Sequence, residues 1–303
     1  MSDKSIADNY ANSRWISLLR EYWPFFLLAI PALIVTIVFI FVPVIYAVTL
    51  SFFKMETIVS PGKFIGLGNY REIFSDPLFW NALKNGVIYA LSTVVLQLII
   101  GIIIALILDQ SFKGRNYFRG LAIVPYVIPT VVASFTWLWI LDPNVGIVNK
   151  VIKTLGLGTV TWFETPFTAM FSNVLVSVWI WTPFVTLTFL AGLQGIDQEL
   201  HEAARVDGAT WTQRFLFITL PLLKPILVII ILLRTIWMFN KFDIIWLLTQ
   251  GGPLHATEHL PVLSYLRAFP MFEVGNGAAI ATINFLLLII LIFIYLKKAD
   301  IDG

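Results

Sequence analysis

Long, nearly unbroken apolar blocks constrain this chain more than any other feature. Six of them lie at about 25–53, 82–108, 120–141, 169–193, 222–248 and 278–296. Each approaches or exceeds the ~20 residues with which a helix crosses the roughly 30 Å hydrocarbon core of a bilayer. In lipid an unpaired backbone N–H or C=O has no water to turn to, so each block must close its hydrogen bonds internally as a helix. The expected fold class is therefore an all-α membrane protein with six transmembrane helices.

Composition supports this reading. Of 303 residues, 58% are hydrophobic and 13% charged, whereas a soluble domain has about a quarter charged. A net charge of +2 supplies no bulk field for nucleic acid. The absence of cysteine excludes disulfides, thiolate metal sites and cysteine nucleophiles. The first apolar run far exceeds the ~7–15 residues of a signal-peptide core, so it reads as a span, kinked near Pro31 and Pro43.

The chain divides into a polar segment 1–24, a membrane domain 25–298 and a tail 299–303. Trp15 to Trp23, with Arg14, Arg20 and Glu21, reads as an interfacial segment. Residues 54–81 form a polar loop with room for one short helix. Pro125 and Pro129 in the third span imply backbone that is buried, because neighbours must satisfy the carbonyls that proline frees. Six spans put both termini on one side. Eleven Lys and Arg lie on that side against seven on the other, which places the termini and the 197–221 loop in the cytoplasm.

That loop is the most informative polar stretch. Asp197 is placed to cap a short helix carrying Leu200, Ala203 and Ala204. Asp207-Gly208 supplies a stop, since Gly accepts the left-handed conformation that ends helices. Thr210-Trp211-Thr212-Gln213 then fits a capping box opening a second helix, which runs through Pro221.

Glu202-Ala203-Ala204, three residues, Gly208, nine residues and Ile218-Thr219-Leu220-Pro221 match the EAA signature of bacterial ABC importer permeases at every fixed position. Phe239 to Asp243, Leu247 to Pro253 and Thr257 to Leu260 extend the likeness, as do Gly68-Asn69-Tyr70 and Leu141-Asp142-Pro143 with Gly146. The chain resembles the carbohydrate-uptake group, related to the larger maltose-type permease and the glycerol-3-phosphate permease. The likeness spans about four-fifths of its length. It departs from the larger maltose permease in lacking extra spans and a large outer domain.

The resemblance implies a type I ABC importer permease fold in the bacterial cytoplasmic (inner) membrane. It also implies partners: a homologous second permease, two ATP-binding subunits that hold ATP and Mg, and an extracytoplasmic solute-binding protein. The resemblance implies that Glu202, Ala203, Ala204, Asp207 and Gly208 couple to the ATPase. Carried over without gaps, the solute positions of the group fall on Ser177, Trp181, Phe184, Arg234, Trp237, Met238, Lys241 and Asp243. No G-x-x-x-x-G-K-[ST] loop occurs, so energy for transport must come from elsewhere.

The residues themselves point to the same place. Ionisable groups within a span are costly and usually functional, and Arg234 and Lys241, seven apart, are expected to share a helix face with Met238. Two basic groups there suit a sugar or an anionic sugar derivative, while Asp243 could neutralise either of them; interhelical packing and a structural Lys241–Asp243 pair are the plainer alternative. A stand-alone secondary transporter or channel is the competing function. His255-Ala256-Thr257-Glu258-His259 spells the zinc protease pattern H-x-x-E-H, but Pro253 and Pro261 bracket it and deny it the helix that two ligating histidines need.

Overall fold

The computed structural model describes residues 22–23, 27–55 and 62–299. Apart from Tyr22 and Trp23, the expected interfacial segment lies outside the described residues, as does the end of the tail. Thirteen helices and one two-stranded ladder follow in order among the described residues. Helix α1, Leu27–Leu50, contains one wide turn at Ile37–Phe41 ahead of Pro43. β1 (Phe53–Lys54) pairs antiparallel with β2 (Lys63–Phe64), and α2 covers Gly68–Ser75.

Helix α3 runs Pro77–Asp109, five residues earlier than its apolar block suggests, because Asp76 caps it by accepting from Leu78 N–H at 2.9 Å. Helices α4 (Arg115–Val127) and α5 (Thr130–Ile140) meet at a bend of 95°. The break falls at Ile128-Pro129, where proline has no N–H to continue the ladder. The expectation of buried backbone is not met within this chain: α4 contributes no buried residue and Pro129 is exposed.

Helix α6 (Ile147–Thr154) sits in the following loop. Asn149 pins that loop, its amide spanning to the Val160 carbonyl at 2.9 Å and accepting from Val160 N–H at 3.1 Å. Two backbone N–H groups, of Val145 and Asn144, hold the Asp142 carboxyl below the usual carboxylate range.

Helix α7, Pro166–Gln194, is the central element, with 61% of its apolar window buried inside the chain. It packs along α3, and the two backbones approach where Gly101 faces Val185. A Cβ added at Gly101 would sit 2.8 Å from the Val185 side chain. Small residues at such crossings let membrane helices gain dispersion contacts in a solvent that offers no hydrophobic drive.

Helices α8 (Gln198–Val206) and α9 (Trp211–Leu222) follow, and α9 meets α10 (Lys224–Phe239) at a 69° bend. The sequence suggests one span over 222–248, but α10 ends at Phe239. Asn240 and Lys241 break it, and α11 (Phe242–Leu248) starts afresh. Helix α12 covers Leu260–Ala268 and α13 Val274–Ala299. Among the described residues four helices cross by length alone, and six spans result when each bent pair counts as one.

The segment between α11 and α12 is clamped to the start of α3. Asn81 and Asn85 both donate to the His255 carbonyl, at 2.8 and 2.9 Å, and Asn85 also reaches the Glu258 carbonyl at 3.0 Å. Nearby, Arg267 bridges Asp76 and Glu273.

Candidate functional site

A pocket of ≈ 410 Å³ opens between α4, α7 and α10, bordered by Tyr126, Trp181, Arg234, Trp237, Met238, Asn240 and Lys241. Its walls are aromatic. Tyr126 meets Trp181 edge-on at 5.5 Å, and Phe184 meets Trp237 likewise at 5.2 Å. Such faces suit the C–H surfaces of a sugar ring.

Arg234 forms the floor. It has no exposed surface, and its guanidinium lies 5.3 Å from the Trp181 ring, 5.7 Å from Phe184 and 5.4 Å from Trp237. Its Nε donates to Gln97 Oε1 at 2.8 Å and its Nη2 to Met238 Sδ at 3.5 Å. Gln97 is held in turn by donating to the Ser177 carbonyl at 3.2 Å. Arg234 Nη1 and Trp181 Nε1 are buried donors with no acceptor, and among the described residues no carboxylate pairs with Arg234. A buried cation without a counter-ion is costly, and the three rings offset part of that cost.

Lys241 stands at the rim. Because α10 ends before it, seven-residue spacing does not place it on the face of Arg234. The chain break turns it into the pocket instead, with its ammonium 4.3 Å from the Trp181 ring and 2.9 Å from Asp243 Oδ2. The Lys241 backbone carbonyl accepts from His259 Nε2 at 3.0 Å, so the rim is anchored to the clamped segment beyond α11.

The eight solute positions thus separate. Trp181, Arg234, Trp237, Met238 and Lys241 border the pocket. Phe184 backs Trp237, and Asp243 pairs with Lys241. Ser177 is turned away: it is fully buried and its hydroxyl meets the Tyr89 hydroxyl at 2.6 Å. The sequence reading passed over Gln97, Tyr126 and Asn240. Gln97 had a signal, as a lone amide in the apolar run 93–108. Asn240 is oriented by Asn284, which donates to its Oδ1 at 2.9 Å and leaves its NH₂ group as a donor. Tyr126 had none: it reaches the pocket through the packing of α4 on α7, edge-on to Trp181.

The H-x-x-E-H residues do not form a zinc pair. His255 and His259 lie outside any helical turn, with His255 at φ 60°. His255 Nδ1 meets Glu258 at 2.7 Å, while His259 points the other way toward Lys241. Burial pushes the His259 imidazole down to about 4.

At the far end of α9 and α10, α8 and the start of α9 form an exposed knuckle. Asp197 caps α8 by accepting from Glu199 N–H at 3.1 Å. Gly208 closes it at φ 80°, with Ala209 N–H returning to the Ala204 carbonyl at 2.9 Å. Thr210 and Gln213 make the reciprocal capping box. Glu202, Ala203, Asp207 and Gly208 are exposed, Ala204 is half-buried, and Val206 is 88% exposed.

Residues 97–299 match the model of the family described as "Binding-protein-dependent transport system inner membrane component". The chain is 39% identical to the "Trehalose/maltose transport system permease protein MalF" of Thermococcus litoralis, over 90% of this chain and 92% of that one. It is 35% identical to the "Sulfoquinovosyl glycerol transport system permease protein SmoG" of Agrobacterium fabrum, over 94% and 92%. A crystal structure of "a bacterial ABC transporter involved in the import of the acidic polysaccharide alginate" superposes with a TM-score of 0.84 at 21% identity, covering 96% and 99%. That likeness establishes the fold, the type I importer permease. The chain belongs to the binding-protein-dependent transport system inner membrane component family and is a multi-pass permease subunit of an ABC importer.

Proposed function

We propose that this permease forms half of the translocation path for a sugar or sugar derivative, and that an anionic derivative is the version its pocket favours. The aromatic-walled pocket over Arg234 carries the reading. Trp181 and Trp237 would stack on the sugar; Lys241, Asn240 and Trp181 Nε1 would donate to its hydroxyls or acidic substituent. Met238 shapes the floor, while Ser177, Phe184 and Asp243 hold the wall and rim in place. With Arg234 and Lys241 set against Asp243, the local balance is one positive charge. Its volume falls within the ~300–1,000 Å³ usual for small-molecule sites. The relative named for sulfoquinovosyl glycerol supports the anionic version, while the one named for trehalose/maltose supports sugars more broadly.

In this reading a homologous second permease supplies the opposite wall, a solute-binding protein delivers the cargo from outside, and two ATP-binding subunits hold ATP and Mg below. This chain has no ATPase site of its own. The knuckle bearing Glu202, Ala203, Ala204, Asp207 and Gly208, the EAA segment, seats on an ATP-binding subunit. Both termini and the knuckle lie in the cytoplasm, and the protein resides in the bacterial inner membrane.

Uptake by the assembled complex, compared for Arg234→Ala and Lys241→Ala with neutral and anionic sugars, tests the substrate class. Selective loss of the anionic solute is expected. Equal losses would remove the anionic version, and transport by this chain alone would remove the importer reading.

A further inference from the structure

On the face away from the solute pocket, α3, α10 and α13 leave a groove of ≈ 680 Å³. Leu83, Val87, Val228, Phe239, Leu287 and Leu291 give it almost wholly apolar walls. Two cations, Lys224 and Lys298, stand together at one end, and both are exposed. Among the described residues neither forms an ion pair. Tyr295 lies beside them and uses its hydroxyl to hold the Val228 carbonyl at 2.9 Å, which fixes α13 against α10 and keeps the groove open below.

Polarity and charge argue for the occupant, and length admits it. Along α10 the groove is bordered from Lys224 to Phe239, fifteen residues or roughly 22 Å of helix, and along α13 from Leu287 to Lys298, eleven residues or roughly 16 Å. One leaflet of a bilayer with a hydrocarbon core of about 30 Å is roughly 15 Å deep, and both runs are at least that long. The lysines sit where α10 leaves the knuckle, hence at the membrane surface on the knuckle's side. A groove long enough for an acyl chain, apolar along its walls and cationic at one end, matches one amphiphile in polarity and charge.

We propose that this groove binds one anionic phospholipid, its acyl chain lying between α3, α10 and α13 and its phosphate bridging Lys224 and Lys298. The site differs in place and ligand from the solute pocket and stands whether or not the solute is a sugar. Lys224 is also the first residue of α10, next to the 69° bend at Leu223. A bound headgroup therefore steadies the joint between knuckle and solute-bordering helix.

The test uses the intact complex in nanodiscs of phosphatidylcholine with a minor fraction of phosphatidylglycerol, read by native mass spectrometry and lipid extraction. Retention of phosphatidylglycerol over phosphatidylcholine is expected. The Lys224→Gln/Lys298→Gln double variant should lose about thirtyfold of that preference, each lysine contributing about fivefold. Leu291→Trp, which fills the groove and leaves both lysines, should also abolish retention. Equal retention of the two lipids, or retention unchanged in the double variant, would overturn the proposal. So would a photo-crosslinker at Ile290 that captures another protein subunit in place of lipid.

Discussion

Gln97→Glu changes the charge beneath the pocket with almost no change of shape. Gln97 is fully buried and already places Oε1 2.8 Å from Arg234 Nε, so a carboxylate there would pair with the guanidinium without moving it. At an effective dielectric of about 20, unit charges ~4 Å apart attract by about 4 kcal/mol, which roughly offsets the desolvation of the second buried charge. The lost donation to the Ser177 carbonyl, 3.2 Å away, costs about 1 kcal/mol. Assembly should therefore survive. The solute feels a larger change. An anionic substituent roughly 6 Å from Arg234 gains about 3 kcal/mol from it at the same dielectric, and neutralising the floor forfeits about a hundredfold in apparent affinity. A neutral sugar should change by less than about threefold. Initial uptake rates in proteoliposomes, taken as the variant-to-native ratio for each solute with the same binding protein, cancel that protein's own preference. If both ratios fall alike, or if anionic uptake is untouched, Arg234 does not act on the solute through its charge.

Other substitutions separate the remaining roles. Gly208→Asp places a side chain at φ 80° where nothing lies within 4 Å; the cost is backbone strain of about 1 kcal/mol, so the complex should assemble while ATP turnover no longer drives uptake. Coupled uptake at the native rate in that variant would remove the knuckle from the mechanism. Gly101→Val drives a branched side chain into Val185 across the α3–α7 crossing, where even a Cβ would lie 2.8 Å away; lowered thermal stability by about 3 kcal/mol is expected from overpacking, read by melting in detergent. The imidazole of His259, at about 4 in the fold against 6.5 when free, is neutral when folded and binds a proton more readily when unfolded. Its contribution is complete above pH 6.5 and is lost as pH falls toward 4, a change of about 3 kcal/mol. His259→Gln, which keeps a donor toward the Lys241 carbonyl, should flatten that dependence, and an unaltered melting profile would count against it.

Span number and the knuckle were legible in the sequence because both rest on local rules. An apolar run must become a helix in lipid, and Asp197, Gly208 and Thr210 with Gln213 each specify a helix end by their own hydrogen bonds or backbone freedom. The breaks were less legible. Pro129 was visible, but whether it would kink a helix or fold it back by 95° depends on what packs beside it. Asn240 and Lys241 carry no proline or glycine, so hydropathy reads straight through them. The break is set from outside, by Asn284 on α13 and His259 beyond α11, residues 44 and 18 positions away. Ser177 is the converse case. Its position matched a solute contact, yet Tyr89, 88 residues earlier, claims its hydroxyl.

The break after Phe239 also bears on the proposed coupling between knuckle and pocket. Helix α10 has 16 residues, a rod of about 24 Å at ~1.5 Å per residue. It is delimited by the bend at Leu223, next to the knuckle, and by Asn240-Lys241, at the pocket rim. Arg234, Trp237 and Met238 ride on it, whereas Trp181 belongs to the central, mostly buried α7. A tilt of roughly 10° about Leu223 moves the far end of such a rod by about 4 Å, enough to separate Trp237 from Trp181 by the thickness of a ring. A continuous helix through 248 would drag α11 and the clamped segment along with it. The interruption makes α10 and α11 separate helices, while Asn81 and Asn85 fix the outer segment on α3. The same two residues that hydropathy overlooks therefore border the pocket and separate α10 from the clamped outer segment.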